Sequence, residues 1–356
     1  MKLNPFKKAK PAAPPPPAAK ADYGRLLAEA PKDDGVEVSP APGAPSLFPR
    51  FHSKFGGLWV DLSNAEELLK GKLEIGLVNE QEAERLRAFI REGYIVIEKA
   101  VPLDVIDRLN EDVRKAWRGE LPSVHVEYWD SGVMHVEPAK PETEARQTKM
   151  LDLFEVSVAA RQAMLAAPIR RFLQLVFERP PLAFQSLYFT RGTQQPIHQD
   201  TAYVVIGSPM ELAASWIALE DIRPNTGELE YYAGSHRIAE HLFQGRFKSK
   251  PLDTPVGDTE HARYLESLHE KSKALGCERR QFRPKRGDAL IWHADLAHGG
   301  SQVMDPGSTR KSFVTHYCPV NLEPAYYAYA PHSDKVRFEK GAYYTHVKRG
   351  PVAPAR

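Results

Sequence analysis

Long apolar runs, cysteine and an excess of charge of either sign are all scarce in this chain of 356 residues. No stretch approaches the roughly 20 apolar residues that a bilayer-spanning helix requires, so no membrane span is expected. The two cysteines, Cys277 and Cys318, are too few for a disulfide scaffold and read as reduced thiols of a cytoplasmic protein. Basic residues number 48 against 46 acidic ones, a net charge of +2, which gives no broad pull toward nucleic acid or an anionic membrane. The opening MKLNPFKKAK is basic, but no apolar segment follows it and arginine and serine are sparse, so neither a secretory signal nor a transit peptide is expected.

Proline, by contrast, is plentiful and concentrates at the front. Residues 1–45 are rich in proline and alanine, with PPPP at 14–17, and have little to bury. A disordered, extended leader is expected there, followed by a single domain over 46–356 that is long enough for one sizeable core. Asn79 stands where a helix N-cap belongs, with Glu82 placed to complete a capping box. Leu86, Phe89 and Ile90 then recur at helical spacing, and Gly93 ends the run. Tyr94–Ile97 reads as a buried strand. Pro102 opens a second helix, with Leu103, Ile106, Leu109, Val113 and Trp117 on one face. A further helical stretch at about 156–178 carries Ile169, Phe172, Leu173 and Val176, so the helical part spans 79–178.

From Leu182 the texture changes. Short strand-like runs at 182–189, 203–206, 215–219, 229–232, 288–293 and 312–317 alternate with turn signals. Strands of this kind build a sandwich or barrel, here over about 182–320. A polar insert at about 238–281 is long enough to fold over a site. The class expected is α+β, mainly β, with helices packed on a double-sheet core.

The chemistry centres on Pro196-Ile197-His198-Gln199-Asp200. Residues two apart on extended chain share a face, so His198 and Asp200 can converge on one metal ion. A third donor must come from elsewhere. The run from Ala289 to Ser301 offers both His293 and His298, the latter just before a diglycine where backbone can approach closely. Two imidazoles and one carboxylate on one face of a metal leave the opposite positions open, which suits iron(II) binding a chelating cosubstrate and dioxygen. The pattern alone is weak, since 13 histidines make coincidence easy. Arg310, ahead of Ser312-Phe313-Val314-Thr315-His316-Tyr317, adds a guanidinium at the buried end of a β core, where it needs a carboxylate partner.

Taken together, these pieces resemble the phytanoyl-CoA dioxygenase family of iron(II)/2-oxoglutarate oxygenases. The resemblance covers most of residues 80–320. It rests on the FIREGYIV entry from Phe89 to Val96, the HxD at 198–200, Trp216-Ile217-Ala218-Leu219, and Asn225-Thr226-Gly227-Glu228-Leu229. It continues through Ala233-Gly234-Ser235-His236-Arg237, Gly287-Asp288-Ala289-Leu290-Ile291, His298-Gly299 and Arg310-Lys311.

The resemblance implies a double-stranded β-helix, a cupin-like jelly roll, with flanking N-terminal helices. It implies His198, Asp200 and His298 as ligands of Fe(II), 2-oxoglutarate as cosubstrate, dioxygen (O2) as oxidant, and Arg310 as clamp on the distal carboxylate of 2-oxoglutarate. Gln185 matches a strand position that touches the cosubstrate in related enzymes, and Ser301 is expected to assist Arg310. The usual small polar residue stands two positions after the distal histidine, where this chain has Gly300; Ala233 likewise replaces a proline. The implied oxidoreductase hydroxylates an unactivated C–H bond of a small organic or lipid-derived substrate, releasing succinate and CO2. Related halogenases carry Gly or Ala at the position of Asp200, so its carboxylate favours hydroxylation. Desaturation or epoxidation on the same scaffold, a silent ligand-binding relative, and a zinc hydrolase that leaves Arg310 unexplained are the alternatives. Of the other histidines, His236 is expected to brace a loop, His316 to be a core or wall residue, and His261 and His269 to be solvated. Tyr128, Trp129, Asp130, Tyr326, Tyr327 and Tyr329 are candidate pocket walls.

Overall fold

The computed structural model describes residues 49–144, 146–251, 259–325 and 336–346. The proline- and alanine-rich segment and positions 326, 327 and 329 lie outside these residues. Two helices open the described chain, α1 (Ala65–Glu74) and α2 (Glu80–Glu92). At the start of α2, Asn79 Oδ1 accepts the Glu82 amide at 2.9 Å, and Glu82 Oε2 accepts the Asn79 amide at 3.1 Å. Two donors that a first turn would otherwise leave bare are thus satisfied reciprocally. Gly93, at φ 76°, ends α2 and turns the chain into β1 (Tyr94–Ile97). A Cβ at Gly93 would also stand 2.5 Å from His236 Nδ1, so glycine is required twice over.

Next comes α3 (Leu103–Trp117), which buries Val105, Ile106, Leu109, Val113, Ala116 and Trp117. Leu103, expected in this stripe, is 56% exposed because the buried arc swings toward Val105 and Ala116. Two strands unforeseen in the sequence follow, β2 (His125–Asp130) and β3 (Val133–Pro138), then the single turn α4 (Pro141–Glu144) and β4 (Lys149–Leu151). The stretch expected as one helix is two, α5 (Val158–Met164) and α6 (Ala167–Phe177). Pro168 is the cause: lacking an amide proton, it cannot extend the preceding helix and sits instead in the first turn of a new one.

The β core follows: β5 (Pro181–Phe189), β6 (Ala213–Ala218), β7 (Leu229–Tyr232), then α7 (Thr259–Ala274), β8 (Arg279–Phe282), β9 (Ala289–His293), β10 (His298–Gly300) and β11 (Ser312–Pro319). The hairpin β12 (Val336–Glu339) and β13 (Ala342–Thr345) returns onto β5. The run at 203–206 is not a strand; Ile206 makes only an isolated bridge to Pro324.

Two sheets result. The larger has ten strands, in the order β1-β9-β6-β11-β5-β4-β2-β3, with β13 and β12 joined at β5. The smaller is β10-β7-β8, and His198 bridges the other edge of β10 as a fourth lane. This is the jelly roll, with helices at its back. Every residue of β6, β9 and β11 is buried because both faces of the large sheet are covered. Alternate residues sort themselves accordingly. Ile217, Ile291, Phe313 and Tyr317 pack with the helices, while Trp216, Leu290, Trp292 and Val314 point between the sheets with Phe189 and Phe282. Among the described residues no helix is long and apolar enough to cross a membrane.

Phe313 is fully buried at the junction of sheet and helices. Its truncation in Phe313→Ala is expected to lower unfolding stability by about 3–5 kcal/mol, against about 1 kcal/mol for Asn79→Ala at the helix cap. Urea denaturation of the two variants side by side checks the ratio.

Candidate metal and cosubstrate site

Residues 194–198 come to lie against β10, although some 100 positions separate them in sequence. The diglycine permits it. A Cβ on Gly299 would sit 2.6 Å from the Gln195 carbonyl oxygen, and one on Gly300 would sit 2.9 Å from the Gln194 nitrogen. The closeness lets the His198 amide donate to the His298 carbonyl at 2.8 Å, and the His298 amide to the His198 carbonyl at 2.9 Å. In such a pair the two side chains emerge on the same side, and the imidazole centroids are 4.4 Å apart.

Both rings are held in the same way. His198 Nδ1 donates to the Pro196 carbonyl at 2.8 Å and His298 Nδ1 to the Leu296 carbonyl at 2.9 Å, each two residues back. That fixes the proton on Nδ1 and leaves Nε2 as the lone-pair donor. The Gln195 amide, 3.3 Å from His198 Nε2, treats that atom as an acceptor. Asp200 Oδ1 lies 3.8 Å from His198 Nε2 and 3.7 Å from His298 Nε2. Donors each bonded at about 2.1 Å to one ion lie no more than about 4.2 Å apart, so both spacings suit a shared metal. All three residues are buried, and their donor atoms lie within 4.8 Å of one another.

The other carboxylate oxygen is occupied. Trp292 Nε1 donates to Asp200 Oδ2 at 2.7 Å, and His316 Nε2 is 3.5 Å from the same atom. Burial alone would raise this carboxyl, yet the imidazoles of His298 and His316 and the hydrogen bond from His316 hold it well below the usual carboxylate range. Burial, reinforced by the neighbouring His298, pushes His198 down to about 3. The site therefore presents a carboxylate and, at His198, a neutral imidazole, the forms that bind a metal.

Arg310 stands two residues ahead of β11, its guanidinium directed to the inner face. Its guanidinium lies over Trp216, 5.3 Å from the ring centre, and over Phe189 at 5.9 Å. Nη2 donates to the Arg191 carbonyl at 3.4 Å, while Nε is buried and meets no partner among the described residues. Burial lowers its pKa to about 10, opposed by the charges of Glu220 and Glu228. A desolvated cation with an orphaned donor fits a carboxylate ligand.

Gln185 stands in register with His316 across β5 and β11, so the two share the inner face. The Ser301 hydroxyl is committed to Glu228 Oε2 at 2.9 Å, and Ser301 lines a cavity of about 700 Å³ with Asn225, Glu228 and Arg283, none of them in the triad. His293 faces the opposite side of β9, with Nε2 3.0 Å from Asp61 Oδ1, which removes it as a ligand. His236 Nε2 bonds the Ile90 carbonyl at 3.2 Å, the bracing role expected.

Two expectations are corrected. His261 is not simply solvated: its Nε2 is 2.7 Å from the hydroxyl of Tyr203, whose ring lies edge-on to His198 at 5.6 Å. His269 Nδ1 similarly meets the Tyr232 hydroxyl at 3.0 Å. Both are carried by α7 of the insert, whose amphipathic packing was obscured by its high charge. Sequence reasoning does not single out Trp292 or Trp216 as site residues, and it expects His316 only as a core or wall residue. Parity along β9 and β6 was the available signal, since it turns Trp292 and Trp216 inward, away from His293 and Ile217.

The fold and this cluster define the class, a 2-oxoglutarate-dependent oxygenase. The sequence profile of the phytanoyl-CoA dioxygenase (PhyH) family matches residues 89–312, more than half the chain, and the protein belongs to that family. Among solved structures it is similar to the non-haem α-ketoglutarate-dependent carbocyclase SnoK of nogalamycin biosynthesis, at 16% identity and TM-score 0.50 over 69% of this chain and 86% of that one. It is similar also to the epimerase SnoN of the same biosynthesis, at 13% identity and TM-score 0.50 over 75% and 98%. No curated protein sequence matches the chain. At these identities the structural likeness shows a shared fold.

The depressed His198 has a consequence for stability. Its folded value near 3 lies below the 6.5 of a free imidazole, so the unfolded chain takes up a proton first as pH falls, and stability is lost from pH 6.5 downward toward 3. Between pH 7 and 5 the metal-free protein is expected to lose about 2 kcal/mol through this residue. Urea denaturation at the two pH values, with His198→Gln losing less than wild type, tests it.

Proposed function

We propose that this protein is an iron(II)- and 2-oxoglutarate-dependent hydroxylase of an unactivated C–H bond in a small organic or lipid-derived substrate. The observation that carries the reading is the convergence of His198 Nε2, His298 Nε2 and Asp200 Oδ1 on one point, with the under-partnered Arg310 on the same inner face. Bound there, iron(II) with 2-oxoglutarate supplies activation of dioxygen and abstraction of hydrogen from carbon, with succinate and CO2 as co-products.

The chain's own residues supply placement. His198, His298 and Asp200 would hold the metal, and three protein donors would leave room for cosubstrate and oxidant. The carbonyls of Pro196 and Leu296 keep the Nε2 lone pairs aimed inward. Trp292 and His316 take up Asp200 Oδ2, so that Oδ1 alone is offered to the metal. Arg310 pairs with the distal carboxylate of 2-oxoglutarate, its fork stiffened by Trp216 and Phe189. Gln185 serves as a further polar contact for the cosubstrate, and Ser301 acts on Arg310 through the charge of Glu228. The apolar side chains between the sheets exclude water from the reacting centre. An intact triad favours this reading over a silent ligand-binding relative, and the carboxylate at 200 favours hydroxylation over halogenation.

Anaerobic titration with iron(II) and 2-oxoglutarate is expected to produce a weak visible metal-to-ligand charge-transfer band. The band should be absent in Asp200→Ala. In Arg310→Ala it should need far more cosubstrate, a loss on the order of 3–5 kcal/mol from leaving one carboxylate buried and unpaired. A folded, iron-binding wild type that gives no band with 2-oxoglutarate would sink the cosubstrate assignment.

A further inference from the structure

The insert between β7 and β8 places a lysine in the interior. Lys248 is 3% exposed, and its Nζ lies 2.6 Å from Asp295 Oδ2 and 3.0 Å from Glu240 Oε1. A buried lysine is costly unless it is paired. Here the two carboxylates outweigh burial and hold its pKa above the ordinary value, so it stays charged. Asp295 belongs to the turn that joins β9 to β10, three residues before His298. Its other oxygen, Oδ1, accepts the hydroxyl of Thr201 at 2.5 Å, and Thr201 directly follows Asp200. The Asp295 carbonyl also accepts the side-chain amide of Gln199, between His198 and Asp200, at 2.8 Å.

Asp295 is therefore the knot between the two segments that carry the triad, and Lys248 neutralises it. The insert grips the same place through backbone as well. Ser249 Oγ donates to the Thr201 carbonyl at 2.6 Å, and the Lys250 amide donates to the Ala202 carbonyl at 2.9 Å. At the far side of Lys248, Glu240 Oε1 accepts the Ser53 hydroxyl at 2.5 Å and Oε2 accepts the Lys54 amide at 3.2 Å. A chain of contacts thus runs from residues 53–54 through Glu240, Lys248, Asp295 and Thr201 to the neighbour of Asp200.

We infer that Lys248 is a positioning residue for the metal site: by pinning Asp295 it sets the spacing between the segment bearing His198 and Asp200 and the segment bearing His298. This rests on the triad being the metal site proposed above. Lys248 touches no donor atom of the triad and acts only through Asp295 and Thr201. Without its charge, the buried carboxylate of Asp295 and the half-buried one of Glu240 are left with no cation between them. Asp295 then turns from the Thr201 hydroxyl, and the two segments lose their common anchor.

The test uses cobalt(II) as a spectroscopic stand-in, titrated into the metal-free full chain of wild type, Lys248→Met, Lys248→Arg and Thr201→Val. Lys248→Met and Thr201→Val are expected to bind cobalt(II) at least about tenfold more weakly, the usual effect of removing a group that orients metal ligands. Their visible d–d bands should change in intensity, and Lys248→Arg should recover most of the affinity. Leu109→Ala, a core truncation in α3, should lower the melting temperature while leaving the cobalt affinity and spectrum of wild type, which separates positioning from simple loss of stability. Wild-type affinity and spectrum in folded Lys248→Met overturn the inference. Should that variant not fold, the same result in Thr201→Val overturns it. A wild type that binds no cobalt(II) removes the metal site itself, and the positioning role with it; metal binding that is equal in wild type and variants removes the positioning role alone.

Discussion

Two backbone hydrogen bonds between His198 and His298 hold the rest of the site in place. They are ordinary in strength, each contributing on the order of 1 kcal/mol net, but they join segments 100 residues apart and fix the two imidazoles side by side. Everything nearby serves that approach. Gly299 and Gly300 clear the space for it. Carbonyls two residues back orient both rings, and the bridge adds a fourth lane to the small sheet, opposite the large one. The jelly roll is in this sense a device for bringing one backbone pair together inside a closed, apolar volume.

Placing ionisable groups in such a volume is expensive, and two solutions coexist a short way apart. Asp200 is satisfied from within: Trp292 and His316 take one oxygen, and the imidazoles face the other. Arg310 is stacked on Trp216 and Phe189 and feels the charges of Glu220 and Glu228, yet its Nε has no partner among the described residues. A buried carboxylate completed by protein reads as a preorganised ligand. A buried guanidinium left incomplete reads as a receptor for one. On the function proposed, the contrast gives the site a direction, with the triad as the metal end and Arg310 as the carboxylate clamp.

Much of this was legible in the sequence where the determinants are local. The Asn79–Glu82 box, the Gly93 stop and strand Tyr94–Ile97 were each readable from a few adjacent residues, since capping and termination depend on near neighbours. Pro168 was visible too, but the apolar stripe across 156–178 masked its effect, and the stretch is two helices. Strands β2, β3 and β4 are not legible in the sequence, because β3 is largely exposed and β4 is only three residues long, so neither carries a readable alternation. The HxD pair and Arg310 stood out, but only against a family pattern, since spacing alone left His293 and His298 both open.

By itself the sequence determined the parts: which residues alternate, where helices begin and stop, and which side chains own metal-binding and carboxylate-binding chemistry. Those properties are set by residue type and by neighbours a few positions away, and they survive any tertiary arrangement. Only the tertiary structure decided between the two histidines, because β9 turns Trp292 toward Asp200 and His293 toward Asp61. It alone placed His316 at the second oxygen of Asp200, and it brought Lys248 of the charged insert into the interior beside Asp295. The physical reason is the same in each case. A buried charge is stable only where partners from distant segments converge on it, and that convergence is a property of the folded chain.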